Sequence, residues 1–138
     1  RAMALGYVDE MFGRRRYVPQ VMHPDRWVVE ATLREVGNHP VQGGAQSIIK
    51  VAMGKWQGAM VEWGLRDYVR ALQQIHDELF MEARESRWRE VGEATRYLME
   101  TAVELSVPVL ADVKVGRNWA EMVEEKEWKT KLPALGLA

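Results

Sequence analysis

At 138 residues the chain is one domain or part of one, with enough length to bury a sizeable core. Hydrophobic residues make up 47% and charged residues 28%, an ordinary globular balance, and no apolar run approaches the roughly 20 residues needed to span a bilayer. The absence of cysteine excludes disulfides and thiolate chemistry, and with no secretory signal it fits a reducing, cytoplasmic setting. The net charge of -1 is unlike that of a nucleic-acid binder, but it is unevenly spread. Residues 1–72 carry 10 basic against 7 acidic side chains, and residues 73–138 carry 9 against 13. The chain begins with Arg1, so a fragment of a longer protein is one expectation.

Residues 1–5 read as the end of a helix closed by Gly6. Tyr7-Val8-Asp9-Glu10 and Arg15-Arg16-Tyr17-Val18 read as strands around a Met11-Phe12-Gly13-Arg14 loop, since Tyr and Val favour strands and Gly13 supplies a positive φ. Arg14, Arg15 and Arg16 sit where this loop feeds the second strand. Guanidinium groups bind phosphate oxygens bidentately, so one reading is a phosphate-contacting edge; the other is a solvated turn paired with Asp9 and Glu10. Alternation of strand side chains lets at most two of the three share a target.

Asp25 is a plausible N-cap for a helix whose stripe runs through Val28, Ala31, Thr32 and Glu35. Gly37-Asn38 reads as its C-terminal signal, and Pro40 is expected to prevent continuation. Asn38 and Gln42 then lie on a short linker, where amides suit either local capping or the acceptor edges of a DNA minor groove. A second, heavily buried helix is expected from Ala45 through Ile48, Ile49, Ala52, Met53, Trp56, Met60 and Trp63, ending at Gly64. Two apolar-rich runs flank His76-Asp77, the tip of a predicted hairpin. Both residue types tolerate the conformations of a tight turn, and a carboxylate at such a tip is placed to meet a hard cation. A helix from Ser86 carries Trp88, Val91, Ala94, Thr95, Leu98, Ala102 and Leu105 on its apolar face, with a solvated face of Arg89, Glu90, Glu93, Arg96 and Glu100. Residues 108–115 read as a strand, and 119–138 as a short helix and a frayed tail.

These landmarks together resemble the C-terminal part of family A (polymerase-I-type) DNA polymerases. The matching runs are collinear: Gly6-Tyr7-Val8; Phe12-Gly13-Arg14-Arg15-Arg16-Tyr17-Val18-Pro19; Asn38-His39-Pro40-Val41-Gln42-Gly43; Ile48-Ile49-Lys50; Ala52-Met53; Gln74-Ile75-His76-Asp77-Glu78-Leu79; Val107-Pro108; and Gly116-Arg117-Asn118-Trp119. Each is weak alone, and their shared order over residues 6–119 carries the resemblance.

The resemblance implies an α+β fold: an antiparallel palm-type sheet of two hairpins plus a late strand, packed with about three helices. This palm would be incomplete, with residues 1–118 its DNA-contacting C-terminal part and 119–138 a tail. It implies nucleotidyl transfer from a dNTP to the primer end of a primer–template DNA by a two-metal mechanism. Asp77 would bind catalytic Mg²⁺, Glu78 would play a lesser role, and His76 would lie near the primer terminus. Arg34, Asn38 and Gln42 would follow the minor groove, and Arg14, Arg15 and Arg16 the DNA backbone.

Two departures stand out. Gly44 replaces the Thr of the family's usual Gln-Gly-Thr-Ala, and Leu33 replaces the Glu that precedes the minor-groove Arg. Nothing in the 138 residues resembles the Asp-Tyr-Ser-Gln-Ile-Glu strand that supplies a second metal aspartate, or the nucleotide-binding fingers helix. A partner portion, in cis or in trans, is therefore expected, and the isolated chain is expected to be inactive. The alternative is a non-catalytic DNA-binding module derived from a polymerase palm.

Overall fold

Tyr7–Asp9 (β1) and Arg15–Tyr17 (β2) pair antiparallel, with Tyr7 opposite Tyr17 and Asp9 opposite Arg15. They are the first strands of a computed structural model that describes residues 5–137. The expected helix over residues 1–5 therefore lies almost wholly outside the described residues. Gly13 takes the positive φ of 85° that the loop demands, and Gly13 N–H donates to the Glu10 carbonyl at 3.0 Å. The chain divides into two compact units between Lys50 and Val51.

In the first unit, Val18 and Val21 are buried and pack with Leu33 and Val36. Leu33, which departs from the family's usual Glu, thus serves this small core. Asp25 accepts a hydrogen bond from Trp27 N–H at 2.8 Å, the expected capping contact. Helix α1 then runs from Arg26 to Glu62, with Pro40 in its interior. The expected break at Gly37–Pro40 does not occur, so Asn38 and Gln42 are helical and not on a linker. Pro40 has no N–H to offer the Val36 carbonyl, a defect that costs about 3 kcal/mol in a helix interior. Packing on both sides outweighs it: Val36 sits on the Val18–Val21 cluster, and the loop after β1 lies against Gly43 and Gly44.

The second unit begins within α1, where Ala52, Ala59 and Met60 are buried. Gly64, at φ 67°, closes the helix: its N–H donates to the Val61 carbonyl, and Leu65 N–H reaches the Met60 carbonyl at 2.8 Å. Val69–Ile75 (β3) and Glu78–Ala83 (β4) form the second hairpin, with a register shift between Ala71 and Gln73. Helix α2, Trp88–Glu100, buries Val91, Thr95 and Leu98 against Ala59, Met60 and Leu65, and Trp56 donates to the Thr95 hydroxyl at 2.9 Å. It stops short of Leu105, although Ala102 is buried and its carbonyl accepts from Lys55 at 2.8 Å.

The α+β architecture and the antiparallel pairing are as expected, but among the described residues the strands form three separate two-stranded ribbons. The late strand shrinks to Lys114–Val115 (β5) and pairs with Val123–Glu124 (β6), not with either hairpin. The segment after residue 118 is folded, not frayed. Trp128–Lys131 (α3) and a Gly136 turn bring Val123, Leu132 and Leu137 onto Trp88 in a second core. Trp128 meets Trp88 edge-on at 5.0 Å. The charged face of α2 holds this segment too, through Arg96–Glu125 at 2.6 Å, so it is more than a solvated surface. Among the described residues, no helix is long and apolar enough to cross a membrane.

Candidate functional site

Ile75 pairs with Glu78, so His76 and Asp77 alone make the turn between β3 and β4. His76 adopts φ 52°, the left-handed conformation that such a two-residue turn requires. The Gln74 amide donates to the His76 carbonyl and ties the turn down. His76, Asp77 and Glu78 are all exposed, so the carboxylates are presented at the tip. Behind the tip, Phe80 of β4 stacks on Trp119 with ring centroids 4.6 Å apart. Trp119 thereby acquires a role that sequence alone did not assign: it backs the strand that carries the turn.

A hard cation such as Mg²⁺ takes several oxygen ligands, and a catalytic pair of such ions needs more than one carboxylate. Asp77 offers one exposed carboxylate at the turn, and Glu78, the first residue of β4, a second beside it. No group of three or more His, Asp or Glu side chains able to hold a metal is found among the described residues. The donor set thus fits one corner of a metal site and not a whole one.

The first unit carries the polar residues. With α1 unbroken, Arg34, Asn38 and Gln42 stand at i, i+4 and i+8, about 12 Å along one stripe, and all three are exposed. Among the described residues Arg34 makes no ion pair. The three hairpin arginines differ from it and from each other. Arg15 is bidentate to Asp9, at 2.8 and 3.2 Å, and lies 3.6 Å over the Tyr7 ring. That hydrogen-bonded carboxylate raises the Arg15 guanidinium pKa, so it stays charged. Arg16 reaches Glu35 on α1 at 2.8 Å. Arg14 donates to the neutral Gly43 carbonyl at 3.1 Å.

Glu10, which the sequence offered only as a turn partner for arginine, is 4% exposed. Burial alone would raise its carboxyl pKa. The N–H groups of Phe12 at 3.1 Å and Arg14 at 3.0 Å, the Ser47 hydroxyl and the Arg14 charge together hold it below its ordinary value. Residue type could not disclose this burial. The signal that could was the Gly43-Gly44 pair inside a helix, since glycine there marks a close approach of other chain. A Cβ on Gly43 would lie 3.1 Å from the Glu10 Cβ, and one on Gly44 would lie 2.6 Å from the Met11 sulfur.

A model of DNA polymerase family A matches residues 1–121. The thermostable DNA polymerase I of Thermus filiformis is 41% identical over 120 residues, covering 87% of this chain and 14% of that protein. DNA polymerase I of Deinococcus radiodurans is 40% identical over 114 residues, covering 83% of this chain and 12% of its own. Among solved structures, the POL domain of Pol1 from M. smegmatis, in complex with DNA primer-template and dNTP, aligns with a TM-score of 0.71 at 42% identity. That alignment covers 78% of this chain and 18% of the other, so the chain spans under a fifth of each of these relatives. By the family match over nearly its whole length, the chain belongs to DNA polymerase family A.

Proposed function

We propose that the chain is the C-terminal palm and DNA-contacting part of a template-directed DNA polymerase, residues 1–118, followed by a folded tail over 119–138. It acts in the cytoplasm with primer–template DNA, a dNTP and the remaining polymerase portion, supplied in cis or in trans. The observation that carries this reading is the two-residue turn that presents exposed Asp77 at the tip of β3–β4. Asp77 is the Mg²⁺ ligand of this part, Glu78 supports it, and His76 sits beside the primer terminus. Mg²⁺, when bound, stabilises charge on the attacking and leaving oxygens of the phosphoryl group. The Arg34–Asn38–Gln42 stripe follows the minor groove, where amide donors meet purine N3 and pyrimidine O2. The arginine hairpin approaches the backbone. The solved Pol1 complex with primer-template and dNTP supports this choice of partners.

Because Asp77 is one donor of several that two metals require, the chain by itself does not extend a primer. The test is Mg²⁺-dependent dNTP incorporation by the purified chain, alone and mixed with a complementary portion bearing the other aspartate and the fingers. Incorporation is expected only in the mixture, and Asp77→Ala is expected to abolish it there while duplex affinity stays within about twofold. Incorporation that survives Asp77→Ala removes the metal-ligand role. The second reading, a non-catalytic DNA-binding module, rests on the exposed Arg34–Asn38–Gln42 stripe, whose DNA contacts would need no metal. Duplex affinity without activity in any mixture would establish it.

A further inference from the structure

The three hairpin arginines are not equivalent. Arg15 and Arg16 each have a carboxylate partner, Asp9 and Glu35. Arg14 hydrogen-bonds to a neutral group, the Gly43 carbonyl, which takes one of the five N–H donors of a guanidinium; its charge also acts on the Glu10 carboxylate, without a side-chain hydrogen bond between them. The carboxylate nearest to it in sequence is Glu10. Its two oxygens are occupied by the backbone N–H groups of Phe12 and Arg14, at 3.1 and 3.0 Å. Glu10 therefore holds the Arg14 backbone without hydrogen-bonding its side chain. The loop is seated on α1 at Gly43 and Gly44, where any Cβ would press on Glu10 or Met11. Gln42, the last residue of the polar stripe, is the immediate neighbour of that seat.

We propose that Arg14 is the hairpin arginine that meets a DNA backbone phosphate, and that buried Glu10 is its positioning residue. The glycine pair of α1 is the receptacle that holds both. This rests on the DNA-contacting role proposed above. A guanidinium whose donors sit on a carboxylate must release that partner to take a phosphate, whereas one held by a single carbonyl has most of its donors for it. Glu10 fixes where that charge stands.

The test is duplex binding by the full chain, followed by fluorescence anisotropy across a salt series. Arg14→Ala is expected to weaken binding about tenfold and to lower the slope of log affinity against log salt by about one. Arg15→Ala and Arg16→Ala are expected to change that slope by less than half as much. Glu10→Gln is expected to weaken binding several-fold in the parent chain and not at all in the Arg14→Ala background, which a merely structural role would not produce. Should Glu10→Gln impair folding in a thermal melt, Gly44→Ala displaces Met11 and the loop with Glu10 intact and is expected to give the same dependence on Arg14. A slope carried by Arg15 or Arg16, or a Glu10→Gln loss that persists without Arg14, overturns the proposal. A parent chain with no salt-sensitive duplex affinity removes the DNA-contacting reading and this proposal together.

Discussion

The hairpins β1–β2 and β3–β4 use their polar residues in opposite ways. In β1–β2 almost every charge is matched inside the chain: Arg15 with Asp9, Arg16 with Glu35, Glu10 with backbone N–H groups. In β3–β4 the apolar strand residues are held to the core, through Met81 and Ala83, while the tip carries exposed Asp77 and Glu78. The first hairpin stores its charges to build a rigid platform. The second holds its carboxylate out. A charge with an in-chain partner at 2.8 Å is already paired, so an external ligand must displace that partner. An exposed carboxylate presents no such barrier.

Several substitutions would break or sharpen this contrast. The largest effect is expected from Asp77→Ala in the mixture with a complementary polymerase portion, where the proposed metal-ligand role requires a loss of several kcal/mol of charge stabilisation. Steady-state incorporation should fall by at least about 100-fold with duplex affinity little changed, and a parallel fall in affinity would mean that Asp77 also organises the turn. Next is Leu132→Ala, at 1% exposure in the core that Ala83 of β4 shares with Trp88. It is expected to cost about 2–5 kcal/mol in a denaturant titration, because a buried leucine leaves a cavity. A cost near zero would show that the segment after residue 118 does not anchor β4.

Arg34→Ala, which removes a charge without an ion-pair partner among the described residues, should weaken duplex binding about tenfold. Arg15→Ala, whose charge is committed to Asp9, should change it less than about twofold by the same titration. Equal losses would erase the distinction between paired and unpaired arginines. His76→Gly is expected to leave the fold intact and to stabilise it by up to about 1 kcal/mol in thermal melts, since glycine adopts φ 52° without a Cβ.

Acid should act on β1–β2 through Glu10. The Glu10 carboxyl lies below its ordinary 4.5 in the folded chain, so its contribution is complete above that value and is lost as pH falls through the lower, folded one. Amide exchange at Phe12 and Arg14, whose N–H groups it holds, should accelerate in that window in the parent chain and be insensitive to it in Glu10→Gln.

Sequence pattern recovered what depends on neighbours in the chain. The Asp25 cap, the Gly13 and Gly64 turns and the tight His76-Asp77 turn are local conformational demands that particular residue types satisfy. Pro40 was misleading because its penalty is local, whereas what offsets it is packing of Val36 and of the Glu10–Arg14 loop from elsewhere in the chain. The segment after residue 118 was misleading in the opposite direction. It read as a short helix and a frayed tail, because Val123, Leu132 and Leu137 are spaced too irregularly for a single helix or strand and converge only through a turn at Gly136.

The family, the α+β class and the hairpin tip that carries Asp77 were all legible in the sequence. Each follows from ordered motifs or from short-range backbone preference. Only tertiary structure decided that α1 is continuous, so that Arg34, Asn38 and Gln42 share one face, and that Glu10 is buried beneath the arginine loop. Tertiary structure also set which arginine is matched by which carboxylate. Helix continuity and charge pairing are sums of contacts between distant residues, and no local signal carries such a sum.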